Sequence, residues 1–449
     1  MATIAQPPEA RGFSRGYRGW LLLVLLLVCL VNYADRSVVA SIAEPLRQDL
    51  GLNDTQIGLL QGLSFALLYS VLGVPFARLA ERRSRINILA ICTVAWSTMT
   101  VLCGAAANFT QMLLARVGVG IGEAGFTAPA SSLLGDHFPP DRRAFATSIM
   151  MLGVPAGALI GAASGGLIAD SLGWRWAFVI MGAPGILVAA LVKWTLREPA
   201  RGAAGEVTSD DVPSLRTVAA SLFRRKLFLL VVAGGTFGGF GLHGLGQFLG
   251  VYFARVHALS FGQAGLIYGL VTFASLTSGL LISGFAADRL GKRDLAWYSW
   301  VPAIGLALSV PLYLLAFQAE TLGSAILLLV LAGICLLMHY GPMLATVQNI
   351  ATPRTRASTI ALFMLVINIL ATGLAPVIVG AVSDLFSQSL IASAGATCPA
   401  ESVEAACTAL RGDGLRLALS CSTIFYAAGA VCFWLAGRES RKEAANARA

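Results

Sequence analysis

Asn32-Tyr33-Ala34-Asp35-Arg36 decides how the chain is read. Mostly apolar residues, Trp20 to Val31, precede it, and Val38, Val39, Ala40 and Ile42 follow. An acid and a guanidinium therefore sit well inside a membrane span. Asp or Arg at mid-bilayer costs roughly 2.5–3.5 kcal/mol each on insertion scales, so such groups face a protein interior or a wet cavity and mark an ion or substrate path. The competing explanation is a purely structural ion pair that holds spans together.

The rest of the chain supplies that membrane context. Of 449 residues, 57% are hydrophobic and 12% charged, against about a quarter charged in soluble domains. Twelve apolar runs are long enough to span a bilayer, at roughly 18–43, 55–80, 86–106, 112–134, 144–168, 175–195, 227–253, 260–286, 295–317, 321–349, 357–382 and 415–437. The expected fold is an all-α polytopic membrane protein with twelve transmembrane helices. With the N-terminus inside, 25 of the 32 basic residues fall in cytoplasmic segments, 5 in outer loops and 2 in spans. This positive-inside asymmetry predicts that both termini are cytoplasmic; the expected location is the inner (plasma) membrane. The net charge of +9 is then a topogenic bias and needs no nucleic acid. Arg11, Arg15 and Arg18 before an apolar run imitate a secretory signal, but that run is long and charged and eleven more follow, so the first span is expected to be uncleaved.

Six of the eight cysteines lie in spans, where a thiol acts as a small apolar filler. Cys398 and Cys407 sit in the long outer loop before the last span, on the oxidising side, and can close a small disulfide loop. No metal-type Cys/His spacing occurs, and no cofactor is expected.

Punctuation repeats along the chain. Pro140-Asp-Arg-Arg-Ala144 after span 4 matches Pro353-Arg-Thr-Arg-Ala357 after span 10, and Ala77 to Arg85 after span 2 matches Gly284 to Arg293 after span 8. Two copies of one six-span plan follow. An N-terminal bundle covers 1–195, a polar cytoplasmic linker 196–226, a C-terminal bundle 227–437 and a cytoplasmic tail 438–449. A substrate site near the midplane between parallel six-span repeats, reached by alternating rocking, is the expectation for such a plan.

Gly284-Phe-Ala-Ala-Asp288-Arg289-Leu-Gly291-Lys292-Arg293, its degenerate copy at 77–85, and Arg116-Val-Gly118-Val-Gly120-Ile-Gly122-Glu123-Ala124 in span 4 resemble the major facilitator superfamily. Within it, Asn32 to Arg36 with the span 2 and span 4 stretches resembles bacterial members of the spinster-like lipid transporters, of the sphingosine-1-phosphate type. Organic-anion symporters of the superfamily also carry Tyr-x-Asp-Arg and Gly-x-x-Glu-Ala elements. In the first cytoplasmic motif Ala77, Glu81 and Ser84 stand where glycine, aspartate and glycine are usual, but the acid is kept.

Acids at the inner ends of spans 2 and 8 can cap the positive N-terminal end of a span in the other half. By the pseudosymmetry of the two repeats Glu81 is expected to meet the start of span 11 near Thr355 and Ser358, and Asp288 the start of span 5 near Asp141. Glu81, Arg82, Arg85, Asp288, Arg289 and Arg293 thus form an expected conformational switch, a solvated basic loop being the alternative. In span 4, Arg116 and Glu123 are about two turns apart and so share a face. In this fold spans 1 and 4 are neighbours, so Asp35, Arg36, Arg116 and Glu123 should converge with balanced charge. Asp35 and Glu123 are the expected proton-coupling carboxylates, with Arg36 and Arg116 holding them or competing for a substrate headgroup. A static network is the competing possibility.

Span 7 is glycine-dense from Gly234 to Gly246 and cannot be a stiff straight helix. Phe237, Phe240, His243, His339 and Tyr340, with Tyr33, are expected to line the substrate path; the histidines can equally be packed, hydrogen-bonded residues. Gly153, Gly157, Gly161 and Gly165, with Pro155, resemble an exporter motif and also suit plain close packing. There is no nucleotide-binding loop and no nucleophile–base constellation, so neither an ATP-driven pump nor an enzyme is expected. The expected function is carriage of an amphipathic lipid, such as a lysophospholipid or sphingoid phosphate, driven by the proton gradient or running down the lipid's own gradient, by a monomer among membrane lipids. The alternative is an organic-anion or multidrug transporter.

Overall fold

The protein's structure is a computed structural model that describes residues 14–199, 215–351, 355–399 and 401–446. The middle of the expected linker lies outside the described residues. Twelve traverses are found, and no strand occurs among the described residues. Span 1 is Arg15–Ser41, span 3 Arg85–Cys103, span 6 Trp174–Thr195, span 8 Phe261–Gly291, span 9 Trp297–Phe317 and span 12 Ala405–Asn446. The others are each built from two or three pieces. Span 2 joins Asp54–Gln61 to Leu63–Arg82, span 4 joins Phe109–Glu123 to Thr127–His137, and span 5 joins Pro140–Met151 to Gly153–Leu172. Span 10 joins Leu322–Leu337 to Tyr340–Ile350.

Eleven of the traverses are long and apolar enough to cross a membrane as single stretches; the fourth is made by its two shorter helices. Its break at 124–126 and the break in span 10 before Tyr340 stand at equivalent repeat positions, since Thr127 and Tyr340 are 213 residues apart, the offset of the two Pro-containing loops. Span 12 extends beyond the expected 415–437 in both directions, and Ala405–Asn446 contains no proline to interrupt it. The expected tail is therefore helical as far as Asn446.

Span 7 bends as its glycines require: Lys226–Gly239 runs into one wide π turn, Phe240–Leu245, before Gly246–Val256. A second wide turn, Asn368–Leu374, divides span 11 into Arg356–Ile367 and Ala375–Ser393. Pro376, just beyond it, has no N–H to continue an α ladder.

With an even number of traverses both described ends lie on one side, here the termini face; the other is the far face. Span 1 packs on spans 5 and 6, span 2 on span 4 and span 3 on spans 4 and 6, while span 9 packs on spans 10 and 12 and span 11 on span 12. Across the halves, span 5 meets span 8 and span 2 meets span 11. Five basic residues outside the spans or at their outer ends, Arg47, Arg175, Arg255, Arg411 and Arg416, occupy the far face, where a disulfide joins Cys398 to Cys407 with Cα atoms 5.6 Å apart.

The glycine stripe of span 5 is a packing surface against span 1. A Cβ on Gly161 would stand 2.3 Å from the Ala34 carbonyl oxygen, and one on Gly157 2.3 Å from that of Leu30. The stripe thus fixes the segment that carries Asp35 and Arg36. Gly161→Ala is expected to cost about 1–3 kcal/mol, as overpacking does, read as a lower thermal midpoint in detergent. Gly73→Ala, with open space around it, should leave that midpoint unchanged.

Candidate functional site

At mid-depth the Arg36 Nε donates to Glu123 Oε2 at 2.6 Å, joining span 1 to the end of the outer helix of span 4. The guanidinium lies over three rings, Phe65 at 4.4 Å, Tyr69 at 4.8 Å and Tyr33 at 5.0 Å. Such contacts hold a desolvated cation by about 0.5–2 kcal/mol each. Phe65 and Tyr69 are one helical turn apart on span 2 and stack on each other. Glycine makes the approach possible: a Cβ on Gly120 would stand 2.8 Å from the Phe65 carbonyl oxygen.

Asp35 is fully buried and accepts a hydrogen bond from Thr100 Oγ1 at 3.1 Å. Arg116, also buried, donates its Nε to the Leu60 carbonyl at 3.2 Å, where span 2 changes direction. The four expected ionisable residues therefore converge, with Arg116 in electrostatic range of both acids. They do not form one exposed cluster. Asp35, Arg116 and Glu123 are sealed, whereas Arg36 keeps 22% of its side chain accessible.

From the second half, His243 in the wide turn of span 7 lies in electrostatic range of Arg36, and Tyr340 at the restart of span 10 lies in range of Tyr33 and Tyr69. Both are half-buried. His339 takes the packed, hydrogen-bonded alternative and not a place in the path. It is 1% exposed, its Nδ1 lies 2.5 Å from the Leu336 carbonyl, and its ring packs near Phe433 and over Gly238. Phe240 is likewise buried, packed on Phe425 of span 12 with ring centroids 4.5 Å apart. Phe237 is half-buried against the same ring at 6.2 Å.

Arg85 also differs from expectation. It is buried within the first half, bonded to Glu198 at 2.7 Å, to Ser132 at 2.9 Å and to Asp136. It staples the inner ends of spans 3, 4 and 6 and is not placed to exchange partners across the halves. Partial burial would raise the Glu198 carboxyl, but hydrogen bonds from the Ser84 hydroxyl, Arg85 and the Ile86 amide hold it below its usual range. Asp288 accepts from the Tyr298 hydroxyl at 3.0 Å inside its own half. Glu81, Arg82, Arg289 and Arg293 are exposed on the termini face. The side chain of Asp141, the expected neighbour of Asp288, lies outside the described residues.

The far face is closed by bonds between the halves that the motifs did not single out. Arg255, at the outer end of span 7, grips Asp54 with two nitrogens at 2.7 and 2.8 Å and Glu44 at 2.7 Å. Glu44 also takes Arg47 at 2.8 Å, and Asp54 takes the Ser383 hydroxyl at 2.7 Å. Phe65, Tyr69 and Thr100 were also missed, since an aromatic pair or a threonine in a span carries no signal until the charge it serves is located.

Two six-span repeats, a paired guanidinium and carboxylate at mid-depth and closure at one face define a membrane carrier. The chain belongs to the major facilitator superfamily, whose model matches residues 25–397; it is a transporter and not an enzyme. It is 34% identical to an MFS-type efflux pump of Mycolicibacterium smegmatis over 95% of this chain and 94% of that protein. Protein spinster of Drosophila melanogaster is 26% identical over 86% of this chain and 66% of its own length. The crystal structure of a bacterial homologue of the human lysosomal transporter Spinster, in an inward-facing and unoccupied conformation, superposes with a TM-score of 0.88 at 32% identity, covering 96% of this chain and 99% of that one.

Proposed function

We propose that this transporter is a proton-coupled carrier, monomeric and set in the inner membrane with both termini cytoplasmic, that moves an amphipathic lipid with an anionic headgroup by alternating access of its two halves. Arg36 is the observation that supports this most directly. A guanidinium held by Glu123 and three rings, yet 22% accessible, is suited to exchange its carboxylate for a phosphate or carboxylate of the substrate. His243 and Tyr340 border the same space, and Phe237 offers apolar surface for a chain. Exchange at Arg36 releases Glu123, beside Asp35, and so couples substrate to proton through one shared network.

The test is flux in proteoliposomes, with and without a pH gradient, for lysophospholipids, sphingoid phosphates, organic anions and cationic drugs. A lysolipid or sphingoid phosphate should raise the thermal midpoint, and its flux should follow the gradient. Flux of all four classes that ignores the gradient would overturn the proposal. A second reading, efflux of drug-like amphiphiles, is supported by the 34% identity to a mycobacterial efflux pump. It predicts that cationic drugs outcompete lysolipids.

A further inference from the structure

The far face carries a construction made twice. At the start of span 2, Asn53-Asp54-Thr55-Gln56 forms a capping box, and at the start of span 8 Ser260-Phe261-Gly262-Gln263 forms another. In each the cap residue satisfies the third N–H and leaves the first two amides of the helix to find partners. Those partners come from the opposite half. Asp384 of span 11 accepts from the amides of Asp54 and Thr55 at 2.9 and 2.8 Å, one on each carboxylate oxygen. Asp170 of span 5 accepts from those of Phe261 and Gly262 at 3.0 and 2.7 Å in the same manner.

Each acid closes a Gly-x-x-x-Asp run, Gly166-Leu-Ile-Ala-Asp170 and Gly380-Ala-Val-Ser-Asp384, and the two runs are 214 residues apart. The glycines do equivalent work: a Cβ on Gly166 would stand 2.2 Å from the Phe261 carbonyl oxygen, and one on Gly380 2.2 Å from that of Asp54. The helix start of one half can meet the carboxylate of the other only because these positions have no side chain. A carboxylate on two free amides at a helix N-terminus has both hydrogen bonding and the helix dipole in its favour. Separating the halves at this face breaks both arrangements together.

We propose that Asp170 and Asp384 are paired far-face latches of the transport cycle, holding this face shut until both helix starts are released. The proposal rests on the alternating-access reading, and the experiment keeps the two apart. Spin labels are placed at Thr110 and Glu320, exposed far-face residues of opposite halves that are in neither latch, in protein whose six free cysteines are replaced. Asp170→Ala and Asp384→Ala should each raise the long-distance component of the label separation a few-fold, and the double variant by about tenfold or more. Ala162→Cys, buried beneath Gly265 in the seam between spans 5 and 8, should become reactive to an impermeant maleimide from the far face in the double variant. If the alanine variants fail to fold, Asp→Asn at both sites, which removes the charge at constant size, is expected to give the same change in smaller degree. Distances and labelling that match the wild type in the folded double variant would overturn the latches. A wild type that then still shows gradient-driven flux leaves the carrier reading intact.

Discussion

Arg255→Met is expected to produce a large change in the stability of the closed far face. Arg255 is 2% exposed in its side chain and stands between two carboxylates that are themselves 5% exposed. Removing one partner of a buried, hydrogen-bonded ion cluster costs about 3–5 kcal/mol, because the remaining charges have neither water nor a counter-ion. Here Glu44 would keep Arg47 and Asp54 would keep only its hydroxyl from Ser383. The protein has an escape that a sealed globule lacks: opening the far face hydrates both acids. The penalty should therefore appear as a shift toward the far-open state of about 10²–10³-fold, together with a thermal midpoint several degrees lower. An unchanged label separation and midpoint would show that the cluster does not hold the face shut.

The pH dependence of this cluster has a definite sign. Burial alone would raise the Glu44 carboxyl, but Arg255 and Arg47 overcome it and hold it down from 4.5 to about 2. A depressed folded-state value means that the stabilisation is fully present above pH 4.5 and fades as the pH falls toward 2. In Arg255→Met that counter-charge is gone, so acid should narrow the gap between variant and wild type. Adding Glu44→Gln and Asp54→Asn to Arg255→Met removes the stranded charges and should recover much of the midpoint, as neutral replacements of buried ion clusters do.

How far the sequence reveals this molecule depends on whether a signal is local. Twelve traverses, the repeat and the bend in span 7 follow from hydropathy and glycine content, which act over a few turns. Asp35, Arg36, Arg116 and Glu123 were legible because charge in a span is costly wherever it points. The same logic failed at Arg85, whose position near a span end looked like a loop charge until Asp136 and Glu198 came together around it. His339 and Phe240 are placed by which side of a helix faces span 12, and a glycine-rich segment with a π turn does not keep the 3.6-residue period that would have told. Asp170 and Asp384 were visible in principle as the repeated Gly-x-x-x-Asp, but their partners are backbone amides, which have no letter in the sequence.

Asp35→Asn and Glu123→Gln are expected to abolish accumulation driven by a pH gradient, and to do so in different ways. For one proton per substrate, each pH unit is worth about 1.4 kcal/mol or tenfold in accumulation, so a two-unit gradient supports about 100-fold in wild type and none in an uncoupled variant. Asp35 meets Thr100 and no guanidinium at bonding distance, whereas Glu123 is bonded to Arg36. Asp35→Asn therefore leaves the Arg36–Glu123 pair and the ring clasp in place: substrate should still bind with near wild-type KM and equilibrate across the membrane. Glu123→Gln takes the competing carboxylate from Arg36, so an anionic headgroup should bind more tightly and leave more slowly, lowering KM and kcat together. Glu123→Asp restores a carboxylate that is one methylene too short to keep the 2.6 Å contact without movement, and should return part of the gradient dependence with a KM between those of Glu123→Gln and the wild type. Retention of the full 100-fold accumulation by both neutral variants would place proton coupling elsewhere and leave this network a structural one.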